Sequence, residues 1–310
     1  MKNRLKKLNY ANLFAYAVLI LISYQFVYPM IRMITISLMS TDDILNPMVN
    51  MVPQTWSFGN LRVAARVLNW QQTMFNSIWF SGTQALGQTL VAATTGFALA
   101  RYNFRFKRFW FAMIMVAFIL PAPVVLVPRS ILFQGIQNFL DFQLIGTIWP
   151  QIAIAFTGQG IFSAILILIF YNFTKMIPPS LDEAAAIDGA NSFKIFYHII
   201  LKLSITTLLV VFLFSFVWNW NETFVTSTFL RGNVELIPGR LANFNALFGG
   251  TVAEMAAEGG GVGVGQEVDR VNEAFQMAGT FISIIPLFVL YLIVQKQFIK
   301  GIENTGITGV

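Results

Sequence analysis

A chain of 310 residues that is 56% hydrophobic and only 11% charged, with a mean hydropathy of +0.66, carries more apolar surface than one soluble core can hide, and reads as a membrane protein. Its formal net charge of +6 would suggest nucleic acid in a soluble protein, but loops rich in Lys and Arg on the cytoplasmic side of a membrane account for it better. No cysteine is present, so disulfides and thiolate metal sites are excluded.

The chain opens on MKNRLKKLNY, basic and without an acid, as expected of a cytoplasmic N-terminus covering residues 1–12. The apolar run over 13–36 is too long for a cleaved secretory signal and lacks a small-x-small site, so it is expected to stay as a first span. Residues 37–72, with Asp42, Asp43, Arg62 and Arg66, form a polar connector on the opposite side. The second span, 73–100, is uncharged, and Ala92, Gly96 and Ala100 recur every four positions, which lets another helix approach closely. RYNFRFKR at 101–108 brings the chain back to the basic side.

The third span, 109–128, is interrupted by Pro121 and Pro123, which free carbonyls that only protein neighbours or water in a cavity can satisfy. A kinked helix beside a translocation path and a proline tolerated by packing both fit. An outer connector over 129–146 leads to a fourth span at 147–173. After the polar stretch 177–204 come a fifth span at 205–221, a long outer segment at 222–273 and a sixth span at 274–295. The expectation is an all-α integral membrane protein whose domain, 13–298, holds six transmembrane helices, with a tail at 299–310 and both termini cytoplasmic.

No span carries an ionisable residue in its central part, which argues against an ion-coupled carrier, and no internal repeat of the carrier type is visible. The glycine run GGGVGVG at 259–265 has no Gly-Lys pair anywhere to make a P-loop of it, and reads as a flexible loop. His198 is the single histidine, and a surface residue suits it better than a metal ligand. No metal site is expected.

The stretch 177–204, IPPSLDEAAAIDGANSFKIFYHIILKLS, is a polar island between two apolar spans. Ser180 with Glu183 three residues on predicts a capping box opening a helix over 181–188. Gly189 falls where a positive φ is wanted, and Asn191 or Ser192 can cap a second helix. Phe193, Phe196, Tyr197 and Ile200 then recur at helical spacing as one apolar stripe.

EAAAIDGANSFKIFYHIILKLS, placed between the fourth and fifth of six spans, resembles the EAA signature of permease subunits in bacterial ABC importers, closest to the carbohydrate-uptake branch that includes the maltose permease. Glu183, Ala184, Ala185, Asp188, Gly189, Ala190, Phe196, Ile199 and Leu201 stand on the signature's usual types. The prolines usual just after it are replaced by Lys202 and Thr206, so the second helix is expected to run straight into the fifth span. The resemblance implies a type I ABC importer permease fold and a non-catalytic transport subunit in the bacterial cytoplasmic (inner) membrane. It also implies that Glu183, Ala184, Ala185, Asp188, Gly189, Ala190, Phe193 and Phe196 couple to an ATPase. The chain itself would bind no cofactor, ATP and Mg belonging to two partner ATPase subunits. A second homologous permease, an extracytoplasmic solute-binding protein and the lipid bilayer would complete the set of partners, with no nucleic acid.

WNWNET at 218–223 resembles the aromatic and Asn/Glu cluster at the outer end of this span in sugar permeases, where ring faces stack on C–H surfaces and amides bond hydroxyls. The expected solute path is Trp218, Asn219, Asn221 and Glu222. Trp218 shares a face with Asn221 or Glu222, Asn219 lies about 100° away, and Trp220 would anchor the interface. An interfacial aromatic belt is the competing reading. Glu254, Glu258, Gly259, Gly260 and Gly261 are expected in an external loop that meets the binding protein. The solute is expected to be a sugar or oligosaccharide. The rivals are an importer for another solute, such as an amino acid or phosphate, and a solitary carrier or channel.

Overall fold

The computed structural model describes residues 10–257 and 268–307, with side chains described over 13–251 and 272–296. Every regular element among them is a helix, and one isolated bridge joins Met39 to Trp56. The chain divides into two compact units, Met1–Trp70 with Asn243–Ile284, and Gln71–Ala242 with Ile285–Val310.

In the first unit α1 (Tyr10–Ser37) presents apolar side chains along most of its length. The polar connector after it is ordered. Ser40 Oγ accepts from Asp43 N at the start of α2 (Thr41–Leu45), and the buried Asp43 carboxylate takes the N–H groups of Gln54 and Thr55 at 2.9 and 2.8 Å. Asn60, on α3 (Gly59–Val67), then donates to the carbonyls of Ile36 and Met39, which ties the turn to the end of α1.

The second unit is built on α4 (Trp70–Arg101), 32 residues long. It is not among the helices apolar enough to cross a membrane alone, which in the described chain are the segments Leu13–Ser37 and Asn272–Lys296. Thr73, Ser77, Ser81, Gln84 and Gln88 give it a polar face, and all five are buried within the protein, away from lipid. Gly96 supplies the close approach: a Cβ there would lie 2.9 Å from the Tyr171 nitrogen and 3.1 Å from the Ile167 oxygen of a neighbouring helix.

The expected third span is two helices, α5 (Lys107–Ile119) and α6 (Ala122–Leu140), bent by 107°. Pro121 holds an extended conformation between them, and the residues expected as a connector from 129 are helical as far as Leu140. The fourth is also divided, into α7 (Trp149–Phe156) and α8 (Ser163–Met176). Beyond α9 (Ser180–Ile187) and α10 (Ser192–Leu203), α11 (Ile205–Asn221) has the bounds expected of the fifth span. The straight run into it does not form. α10 and α11 meet at 79° around Ser204, whose φ of −95° and ψ of 7° leave the helical region. Packing makes this bend without proline. Ile177, Ile195 and Ile200 are buried with Ala93, Phe97 and Phe170, and a π-helical turn at Phe196–Ile200 lets Ile195 and Ile200, two of the three isoleucines of α10, both enter that cluster.

The long segment after residue 222 is not an open loop in its described part. It forms α12 (Phe224–Leu230), α13 (Ile237–Ala242) and α14 (Phe244–Ala257), with Phe229, Ile237 and Phe244 fully buried. Phe229 packs with Leu126 and Ile154, so this part of the segment is ordered where composition alone suggested flexibility. The last helix is α15 (Val268–Ile307).

Candidate functional site

The polar island lies at one end of α4. Pro179 already has helical angles, φ −60° and ψ −25°, so α9 begins one residue early and Ser180 lies inside it. The capping box therefore does not form, and the Pro179 carbonyl receives the Asp182 and Glu183 nitrogens instead. What fixes α9 is Arg101, the last residue of α4. Its Nε makes an ion pair with Asp182 at 2.7 Å, and its Nη2 donates to the Ile177 carbonyl at 2.7 Å. The two side chains are only 10% and 18% exposed. Burial pushes the Asp182 carboxyl above its ordinary range, Arg101 opposes that, and Glu183 adds to it.

Gly189 has φ +79°, with the Gly189 and Ala190 nitrogens bonded back to Ala186 and Ala185. Asn191 caps α10 by accepting from Lys194 N at 2.9 Å. The predicted apolar stripe is divided. Phe196 and Ile200 pack inward, with Phe196 5.0 Å from the Phe97 ring, whereas Phe193 and Tyr197 are exposed and stack on each other at 6.4 Å. Ala185 and Ala190 also pack inward. Glu183, Ala184, Asp188 and Gly189 stay exposed, together with Ile187 at 87%, a residue that the sequence reading left out. One exposed face thus collects two carboxylates, small residues and three large apolar side chains.

Further along α4 the helices α4 to α8 and α11 surround a cavity of about 840 Å³. Its walls mix Trp110, Met113 and Phe118 with polar Gln84, Gln151 and Asn219. Gln88, 1% exposed, is the hub beside it. Its Nε2 donates to the Ile161 carbonyl at 2.8 Å and to Ser163 Oγ at 2.7 Å, and its Oε1 accepts from Ser215 Oγ and, at 2.6 Å, from Asn219 Nδ2. Three helices are tied through one side chain.

Of the four residues expected on the solute path, the structure brings Asn219 and Glu222 to the cavity and leaves Trp218 and Asn221 off it. Trp218 packs between Phe162 and Phe214 at 4.8 and 5.5 Å, and Asn221 donates to the Val217 carbonyl of its own helix. Trp220 is not an interface anchor: it is 3% exposed and stacked on Phe216. The facing is rotated from the expected one because Gln88 draws Asn219 inward. Glu222 spends its carboxylate on the Val225 and Thr226 nitrogens and the Thr226 hydroxyl at 2.7 to 2.8 Å, opening α12 with a negative charge at its N-terminus. Gln84, Gln88 and Gln151 were missed by the sequence reading, although glutamines within an otherwise apolar span were the available signal. Glu254 lies in α14, with its side chain outside the described part, and Glu258, Gly259, Gly260 and Gly261 lie outside the described residues.

The family profile described as "Binding-protein-dependent transport system inner membrane component" matches residues 88–304, from the Gln88 hub through the island to the last helix. The chain belongs to that family. It is a multi-pass inner-membrane component of an importer of this type, as the EAA-like stretch indicated. Among its relatives, the arabinooligosaccharides transport system permease protein AraQ of Halalkalibacterium halodurans is 24% identical over 292 residues, covering 93% of each chain. The alpha-glucoside transport system permease protein AglG of Rhizobium meliloti is 27% identical over 240 residues, 77% of this chain and 57% of that one. The sn-glycerol-3-phosphate transport system permease protein UgpE of Escherichia coli is 25% identical over 232 residues, 75% of this chain and 72% of that one. A solved bacterial ABC transporter involved in the import of the acidic polysaccharide alginate has the same fold, with a TM-score of 0.70 at 20% identity over 96% of this chain and 99% of the other.

Proposed function

We propose that this permease carries a saccharide or oligosaccharide across the inner membrane in a complex driven by ATP. The observation that carries the reading is one helix, α4, with an amide-lined cavity along its length and the exposed EAA-like face locked to its end. Names of relatives that move arabinooligosaccharides and alpha-glucosides support a sugar as the solute. In this reading six spans cross the membrane, with α4 as the second of them and α9 and α10 outside the bilayer, and both termini are cytoplasmic. Glu183, Ala184, Asp188, Gly189 and the exposed Phe193 meet the groove of an ATPase subunit, while Ala185, Ala190 and Phe196 hold that face on the bundle. The stretch from Glu254 to the glycines at 259–261 meets the solute-binding protein. The chain performs no catalysis, since ATP and Mg belong to two partner ATPase subunits, and a second related permease completes the path.

The test is uptake by proteoliposomes holding the chain with its partner permease, ATPases and binding protein. ATP-dependent accumulation of a labelled arabino- or gluco-oligosaccharide, lost with Glu183→Lys, is the expected result. Accumulation that needs no ATPase subunit would return the chain to the carrier class.

A further inference from the structure

Gln151 and Asn219 line the cavity and are only 6% and 7% exposed, and both have spent their amide nitrogens. Asn219 Nδ2 is taken up by Gln88 Oε1 at 2.6 Å, the Ser215 carbonyl at 2.8 Å and Ser215 Oγ at 3.2 Å. Gln88 cannot turn round, because its own Nε2 is held by Ile161 and Ser163. Gln151 Nε2 donates to Thr226 Oγ1 at 3.0 Å, whose proton goes on to Glu222 Oε2. In both amides the oxygen is left over. Gln151 Oε1 is buried with no protein donor, and among the described residues none reaches Asn219 Oδ1. Native interiors seldom leave a buried acceptor unpaired, because its desolvation is then uncompensated. A cavity wall with one buried unpaired oxygen, Gln151 Oε1, and a second, Asn219 Oδ1, that no described hydrogen bond reaches offers acceptors to donors from outside the protein.

Building on the saccharide reading above, we propose that Gln151 and Asn219 form an acceptor subsite for hydroxyl donors of an uncharged, polyhydroxylated solute. Gln88 is the positioning residue that fixes which atom of Asn219 faces the cavity. A phosphate or carboxylate group brings no donor to this wall and meets the Glu222 carboxylate in the same cavity. Arg129, the cation of that lining, is turned to Gln159, its Nη2 lying 2.9 Å from the carbonyl and 3.3 Å from Oε1.

The test is equilibrium binding to the complete complex in nanodiscs, without binding protein, of labelled maltotriose and arabinotriose as neutral probes and of sn-glycerol 3-phosphate and an alginate trimer as anionic ones. A neutral probe is expected to bind and to be displaced by neutral competitors alone. Losing one hydrogen bond to the solute weakens binding about 5- to 10-fold, so Gln151→Leu and Gln88→Leu are each expected to show that loss. Gln88→Glu keeps an acceptor for Asn219 but sets a buried carboxylate oxygen against the Ile161 carbonyl, and is expected to lose binding as Gln88→Leu does. A purely structural role for Gln88 would lower the complex's melting temperature without changing the ranking of neutral over anionic probes. If Gln151→Leu does not assemble, Asn219→Leu carries the same expectation, since it removes the other acceptor of the subsite. Neutral binding unchanged in these variants overturns the subsite while leaving the importer reading intact. Preferred binding of an anionic probe, lost in Arg129→Gln, overturns the neutral-solute assignment. Absence of ATP-driven uptake of every saccharide overturns the importer reading as well.

Discussion

Removing Arg101 is the sharpest perturbation of the link between helix bundle and coupling face. The Arg101–Asp182 pair is close, 2.7 Å, and both side chains are largely sequestered, at 10% and 18% exposed. An exposed pair is worth about 0 to 1 kcal/mol, whereas removing one partner of a buried pair costs about 3 to 5 kcal/mol. With a remnant of solvent on each side, Arg101→Met falls at about 2 to 3 kcal/mol. It also deletes the bond to the Ile177 carbonyl and leaves Asp182, whose Oδ1 is already buried without a partner, beside Glu183. Asp182→Asn is milder, about 1 to 2 kcal/mol, because Arg101 keeps Ile177. The sign with pH follows from the raised Asp182 carboxyl. A folded-state pKa above the unfolded value contributes stability at low pH that is lost as pH rises through the folded pKa. Without Arg101 the carboxyl rises further, so the Arg101→Met defect is smallest in acid and grows toward neutral pH. Because the chain has no cysteine, a spin label at Ile187→Cys reports α9 alone. We expect a more mobile label in Arg101→Met and several-fold less solute moved per ATP hydrolysed. A label as immobile as in the wild-type background, with unchanged coupling, would refute the idea that this pair holds α9.

Three other outcomes follow from single residues. Gly189→Val is costly through backbone conformation alone, about 1 to 2 kcal/mol, since no atom lies within 4 Å of the added Cβ, and uptake is expected to fall while membrane insertion continues; equal uptake by Gly189→Val and wild type would count against it. Gly96→Leu forces α4 and α8 apart and is expected to lower the melting temperature by the equivalent of about 2 to 4 kcal/mol, read by thermal unfolding of the purified complex; an unchanged melting temperature would contradict the close packing. Cysteines at Lys107 and Lys194 are expected to react only with reagent on the cytoplasmic side and one at Gly260 only from outside; external reaction at Lys194 would invert the topology.

What the sequence reveals divides along a physical line. Gly189 and Asn191 were legible because a positive φ and a helix cap are local requirements, met by a few neighbouring atoms. Ser180 shows the limit of that logic. A capping box requires the serine itself to keep non-helical angles, and with Pro179 already helical Ser180 lies inside α9. Trp220 and Asn219 fall beyond local rules altogether, because the facing of α11 is decided by Gln88, more than a hundred residues away, and a helical wheel cannot see a partner on another helix. The bend at Ser204 is of the same kind. Its cause is the burial of Ile195 and Ile200 against α4 and α8, not any breaker in its own sequence.

The same non-local bonds show how the two ends of α4 can answer each other. From Gln88 to Arg101 the helix rises about 20 Å, at 1.5 Å per residue, without proline. Gln88 joins it to α8 and α11 beside the cavity, and Arg101 joins it to α9 at the coupling face. A stiff rod pinned at both ends converts a displacement of α9 into a shift of the Gln88 network, and that network fixes which atoms the cavity presents. Transmission requires both pins, so loosening either one uncouples the ends even when each remains folded. Gln88→Leu and Asp182→Asn are therefore expected to be less than additive when combined, with solute moved per ATP falling less than the product of the two single effects, because the second change breaks a link that the first has already broken. Strict multiplicativity in that double variant would mean that α9 reaches the cavity by another route.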